Sequence, residues 1–137
     1  MIPLKIHNIL DYAAGVLLLF VPALFGFSEI DAARNLFIFA GVFLIAYSLI
    51  TKYYYSLLKV IPLGVHMALD VASGVVVMLA PWVLGYRDLL TGGQEIVHYV
   101  LGVGVIGLVA MTRSKTESDK IREEPAFPGR FSTTGRT

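Results

Sequence analysis

His7 and Asp11 stand four residues apart, and the same pair returns as His66 and Asp70. At that spacing each histidine shares a helix face with its aspartate. Two imidazoles and two carboxylates brought to one depth could hold a divalent metal such as zinc or iron. His7 and His66 alone could be axial ligands of a haem between helices. A histidine–aspartate pair could also relay protons. Against these stands a structural reading, a buried polar cluster that fixes helix register. Four-residue spacing is common in helices, so the structural reading leads, and neither a metal nor a cofactor is assigned.

The two pairs belong to a longer repetition. Residues 2–27 recur at 61–86 with a constant offset of 59 and about 11 identities in 26 aligned positions. Ile2-Pro3-Leu4 returns as Ile61-Pro62-Leu63, and Leu10-Asp11 as Leu69-Asp70. Ala13, Gly15 and Val16 return as Ala72, Gly74 and Val75, and Pro22 and Gly26 as Pro81 and Gly85. The polar and backbone-special residues repeat better than the apolar filling, which points to a duplicated structural unit. After a two-residue gap the match resumes: Gly41-Val42 answers Gly102-Val103, and Ile45 answers Ile106. Such a gap belongs in a loop, where insertions are tolerated.

Composition says what solvent surrounds these units. The 137 residues are 56% hydrophobic and 15% charged, with mean hydropathy +0.73. A soluble domain carries about 25% charge, so the bilayer is the expected medium. Four stretches, roughly 6–27, 33–51, 63–86 and 94–112, are almost free of charge. Their uncharged parts run about 17 residues, or roughly 26 Å as helix. With flanking residues that suffices to cross the hydrocarbon core. In lipid the backbone must satisfy itself within each segment, so all four are expected to be helices.

The expected fold is all-α: four transmembrane helices from two tandem, parallel-related hairpins. Repeat 1 covers about 2–52 and repeat 2 about 61–112, making a membrane domain of residues 1–112. Residues 113–137 carry Pro125, Pro128, two glycines and six Lys/Arg without an apolar period, and read as a flexible cytoplasmic tail. Nine of the 11 Lys/Arg then fall on one side, which by the positive-inside rule places both termini and the central loop in the cytoplasm. Tyr53-Tyr54-Tyr55, between Lys52 and Lys59, reads as an interfacial aromatic belt. Helix 1 is not read as a cleaved signal, because its charged lead is thin and no A-x-A-like site follows. The chain has no cysteine, which removes disulfide and thiolate chemistry, and net charge +1 offers nothing to nucleic acid.

Depth makes the aspartates informative. With Pro3 and Pro62 in the first turns of helices 1 and 3, Asp11 and Asp70 lie about 12 Å along the axis. The helix dipole fades within the first turn and cannot account for them. An aspartate at the centre of a spanning helix costs about 2.5–3.5 kcal/mol. Each Val or Leu returns only about 0.3–0.6 kcal/mol, so each carboxylate needs a partner or nearby water. On the helical wheel His7, Asp11, Ala14, Gly15, Leu18 and Pro22 form one stripe, and His66, Asp70, Ser73, Gly74, Val77 and Pro81 another. Small residues let backbones approach. Helices 1 and 3 are therefore expected to face each other, with the His/Asp pairs cross-linking the repeats.

Other positions have local expectations. Pro22 and Pro81 should kink or end helices 1 and 3, with Gly26 and Gly85 allowing the turn. Trp82 and Tyr86 are placed to anchor the outer interface. His98, with Phe37 at the matching position of repeat 1, reads as an interfacial histidine. Gly102, Gly104 and Gly107 read as a packing groove.

The pattern H-x-x-L-D-x-x-x-G, then proline, then G-[FY], resembles the SPW-repeat family of small bacterial integral membrane proteins over about residues 5–112. Its units pair two helices and are named for Ser-Pro-Trp at the end of the first. Here that tripeptide is Val21-Pro22-Ala23 in one unit and Ala80-Pro81-Trp82 in the other. The resemblance implies a multi-pass protein of the bacterial cytoplasmic membrane and no particular activity. No phosphate-binding, nucleophile or metallohydrolase motif is present, so the reading leans away from an enzyme. It favours a structural or partner-binding membrane protein, with a homo-oligomer or another membrane protein as the partner. A cofactor-, metal- or proton-handling protein using the His/Asp pairs is the alternative. A transporter is disfavoured, because four short helices leave little room for a midplane site.

Overall fold

Four apolar stretches become four helices: α1 (Leu4–Leu24), α2 (Asp31–Leu49), α3 (Leu63–Val83) and α4 (Gly92–Met111). The computed structural model describes residues 2–52 and 55–112. The proposed tail at 113–137, and Tyr53 and Tyr54 of the aromatic run, lie outside the described residues. Each helix is long and apolar enough to span a membrane, and the described residues hold no strand beyond two isolated bridges. The chain is an all-α, multi-pass membrane protein whose outer faces contact lipid. Side chains such as Phe39, 67% exposed, and Val83, 75% exposed, belong to those faces.

The helices begin and end by local chemistry. Pro3 and Pro62 are the N-caps, one position before the expected first turn, with extended ψ near 145° and 146°. Each proline carbonyl accepts two first-turn amides: Ile6 and His7 on Pro3, Val65 and His66 on Pro62. α1 and α3 run past their prolines and stop two residues later, because Gly26 and Gly85 take φ +72° and +71°. The amides of Phe27 and Tyr86 then bond back to the carbonyls of Pro22 and Pro81 at 2.9 and 3.0 Å, the closure of a Schellman turn. So the apolar run beyond Leu24 and Val83 is turn, not helix. α4 opens instead on a capping box between Thr91 and Gln94.

Within each repeat the hairpin is the tightest contact, α1 on α2 and α3 on α4. Gly15 and Gly41 cross closely in the first hairpin, Gly74 and Gly102 in the second. This corrects one expectation: the glycines of the α1 and α3 stripes pack against their own hairpin partners, not across the repeat axis. Gly104 and Gly107 face open space and take no part in the crossing. At the repeat junctions, Thr51 bridges to Ile61 and Ile2 to Thr112. The end of each hairpin thus sits beside the start of the other.

Candidate functional site

The stripe on α1 that buries His7, Asp11, Gly15, Leu18 and Pro22 comes from one repeat, and α3 buries His66, Asp70, Gly74, Val77 and Pro81 from the other. The four polar side chains converge where α1 and α3 begin and α2 and α4 end. His7 Nε2 lies 3.3 Å from Asp70 Oδ2 and 3.4 Å from Asp11 Oδ1. His66 Nε2 lies 3.1 Å from Asp11 Oδ2 and 3.2 Å from Asp70 Oδ2. Each histidine therefore meets the aspartate of the other repeat as closely as its own. All four residues are at most 3% exposed.

Two threonines hold the far side of the rings. The Thr51 hydroxyl donates to the Tyr47 carbonyl at 2.6 Å and lies 2.9 Å from His66 Nδ1. The Thr112 hydroxyl donates to the Leu108 carbonyl at 2.7 Å and lies 2.6 Å from His7 Nδ1. A hydroxyl has one proton, so each threonine oxygen accepts from its histidine, and the hydrogen-bond network assigns both rings as Nδ1–H. Both Nε2 atoms then face the carboxylates. Neither threonine was singled out in the sequence, yet both were findable: they stand 61 apart, the offset that already relates Gly41 to Gly102.

Symmetry breaks at Tyr47. Its hydroxyl donates to Asp70 Oδ1 at 2.5 Å, whereas the position related to it in repeat 2 is Leu108. Asp70 thus gives one oxygen to Tyr47 and the other to both histidines, while Asp11 shares its two oxygens between the rings. Nothing in the repeat pattern marks Tyr47, because its counterpart is apolar. Beside the centre, Asn8 is fully buried; its Oδ1 accepts from the Tyr55 amide at 3.1 Å, and the Tyr12 hydroxyl donates to the Tyr55 carbonyl at 2.9 Å. The described tyrosine of the aromatic run therefore fastens the linker to α1.

Above the carboxylates, between the two hairpins, lies a cavity of about 40 Å³. Asp11, Asp70 and Tyr47 line one end, and Leu18, Leu44 and Val77 continue its wall. It has room for a few waters, which need about 10–15 Å³ each. It cannot take a porphyrin, and the His7 and His66 rings, 6.0 Å apart and edge to face, converge on one oxygen of Asp70 and not on two faces of a macrocycle.

The opposite end of the bundle closes with a second set of repeat-related residues. Phe27 and Phe37 meet Tyr86 and His98, with ring centroids 5.0 to 5.7 Å apart. His98 is fully buried, not interfacial as expected: its Nδ1–H donates to the Gln94 carbonyl at 2.9 Å, and the Tyr86 hydroxyl donates to Nε2 at 3.0 Å. Tyr86 is likewise 2% exposed and faces inward, so it does not anchor the outer interface as the sequence suggested. Burial pushes its phenol up to about 12. Trp82 remains 43% exposed, with the Arg87 guanidinium 5.6 Å from its ring.

A family model described as the SPW repeat domain matches residues 5–113, which spans both hairpins and every residue of the centre. Comparison with curated proteins and with solved structures gives no significant match.

Proposed function

This chain belongs to the SPW-repeat family, and from that premise we propose a non-enzymatic role in which the His/Asp centre clamps two hairpins into one bundle. The observation that carries the reading is the crossed pairing: His7 to Asp70 at 3.3 Å and His66 to Asp11 at 3.1 Å join residues of different repeats. At the opposite end the Gln94 amide donates to the Phe25 and Gly26 carbonyls at 3.0 and 3.2 Å, and between the two ends the packing of α2 on α3 is looser than either hairpin. A polar joint in a low-dielectric interior specifies one register, because any slip leaves a buried charge unpaired. The lipid-facing sides of the clamped bundle are then free to receive a second copy or another membrane protein.

Double-mutant cycles test the clamp. His7 with Asp70, and His66 with Asp11, are removed singly and together in detergent, and thermal unfolding is read. Each crossed pair should couple by at least the roughly 0.6 kcal/mol typical of intramembrane polar pairs. Coupling confined to His7/Asp11 and His66/Asp70 would sink the reading.

In the same proposal the protein sits in a bacterial cytoplasmic membrane, with residues 1–112 as its membrane domain and 113–137 as a cytoplasmic tail. The support is the charge bias, with nine of 11 Lys/Arg on one side. A reporter active only in the periplasm, fused after Thr137, should stay silent. Activity there would reverse the topology.

A further inference from the structure

Each of the two Nε2 atoms lies close to both carboxylates. His7 Nε2 is 3.3 Å from Asp70 Oδ2 and 3.4 Å from Asp11 Oδ1, and His66 Nε2 is 3.2 Å from Asp70 Oδ2 and 3.1 Å from Asp11 Oδ2. Charge-assisted N–H···O bonds are shorter than these separations, about 2.7–2.9 Å. With Asp70 Oδ2 and Asp11 Oδ2 as the two oxygens, three of these distances, 3.3, 3.2 and 3.1 Å, match edges of a small coordination tetrahedron. With metal–ligand bonds of about 2.0–2.1 Å, tetrahedral ligands lie about 3.3 Å apart. One donor atom from each of the four residues falls within 4.8 Å of all the others.

We infer that His7 and His66 through Nε2, with Asp11 and Asp70 through one oxygen each, form a four-coordinate site for one divalent transition-metal ion, best matched by Zn²⁺. Two imidazoles and two carboxylates are a borderline N₂O₂ set that suits zinc. The charges close as well: two carboxylates neutralise a dication, and the neutral rings add nothing, so the centre carries no net charge into the bilayer. The shell behind the ligands is the kind that metal-binding histidines need. Thr51 and Thr112 accept from Nδ1–H and so present Nε2 as the donor, while Tyr47 occupies Asp70 Oδ1 and leaves Oδ2 for the ion. All four ligands come from the protein, and the site is buried. That is the closed form of a structural metal centre, without the open position that catalysis uses. The inference rests on the centre being the joint between repeats, and supplies the ion that would tighten it.

The test uses the full-length chain without a histidine tag, in mild detergent, loaded with Zn²⁺ and dialysed. Elemental analysis should find one zinc per chain. Asp11→Asn and Asp70→Asn should each drop below one-tenth of that with helical circular dichroism preserved. Thr51→Val and Thr112→Val, which keep all four ligands, should weaken Zn²⁺ about 10- to 100-fold in competition with a chromophoric chelator. His98→Phe, which copies the Phe37 of repeat 1 outside the centre, should keep full zinc. Co²⁺ loaded in place of zinc should give the intense visible bands of a tetrahedral ion. Zinc well below one equivalent in the parent chain overturns the site, as does full zinc in either Asn variant or equal loss in His98→Phe. If an Asn variant does not fold, unchanged affinity in both threonine variants overturns it too. The double-mutant cycles, run with chelator present, separate the two ideas. Crossed coupling without zinc binding leaves the clamp and removes the ion, and absent coupling removes the clamp itself.

Discussion

Asp70→Leu is expected to destabilise the bundle by about 2–4 kcal/mol, the largest effect of any single change at the polar centre. Asp70 meets three partners, His7, His66 and Tyr47. Intramembrane polar pairs average about 0.6 kcal/mol each, and the partners left unpaired in the interior add about 1–3 kcal/mol. Asp11→Leu should cost less, because Asp11 has no tyrosine partner among the described residues. Asp70→Asn should cost least, since an amide still offers an acceptor to Tyr47 and a donor to the rings. Unfolding in detergent, read by circular dichroism against temperature, orders the three variants. Parental stability in Asp70→Leu would mean that the centre does not hold the repeats together.

Gly41→Ala and Gly102→Ala should each destabilise by about 1–3 kcal/mol, the range for overpacking a tight contact. A Cβ on Gly102 would stand 2.5 Å from the Gly74 carbonyl oxygen and 2.9 Å from Met78 Cβ. One on Gly41 would stand 2.7 Å from the Gly15 carbonyl oxygen. The obstacles are backbone atoms, so relief requires the two helices of a hairpin to move apart. Gly104→Ala is the contrast: nothing lies within 4 Å of its added Cβ, and the helix gains up to about 1 kcal/mol in propensity. Equal effects at Gly102 and Gly104 would refute the assignment of the close crossing.

His7, Asp11, His66 and Asp70 were legible as a cluster because helical spacing and a duplicated sequence both put them at matching depth. Their crossed pairing followed from that symmetry and is seen. Thr51 and Thr112 were legible in principle through their offset of 61, since duplication marks both ends of a conserved contact. Tyr47 was not, because only one repeat carries it. Tyr86 and His98 misled for a related reason. A polar aromatic near a helix end suits a membrane interface, and only the positions of Phe27 and Phe37 show that this end of the bundle closes on an aromatic layer.

By itself, the sequence determined the four helices, the two hairpins, the turns at Gly26 and Gly85 and the stripes that go inward. Those features are local or periodic: backbone groups in lipid must bond within their own segment, glycine permits positive φ, and polar side chains must face away from lipid. The tertiary structure alone decided which surface each stripe meets. The helices are apolar nearly all round, so periodicity gives an inward direction but no partner. Gly15 and Gly74 therefore looked equally suited to a contact between repeats. Close approach of carbonyl oxygens within each hairpin took the glycines. The seating of each hairpin's start beside the other's end left the histidines and aspartates of α1 and α3 to meet around a single point.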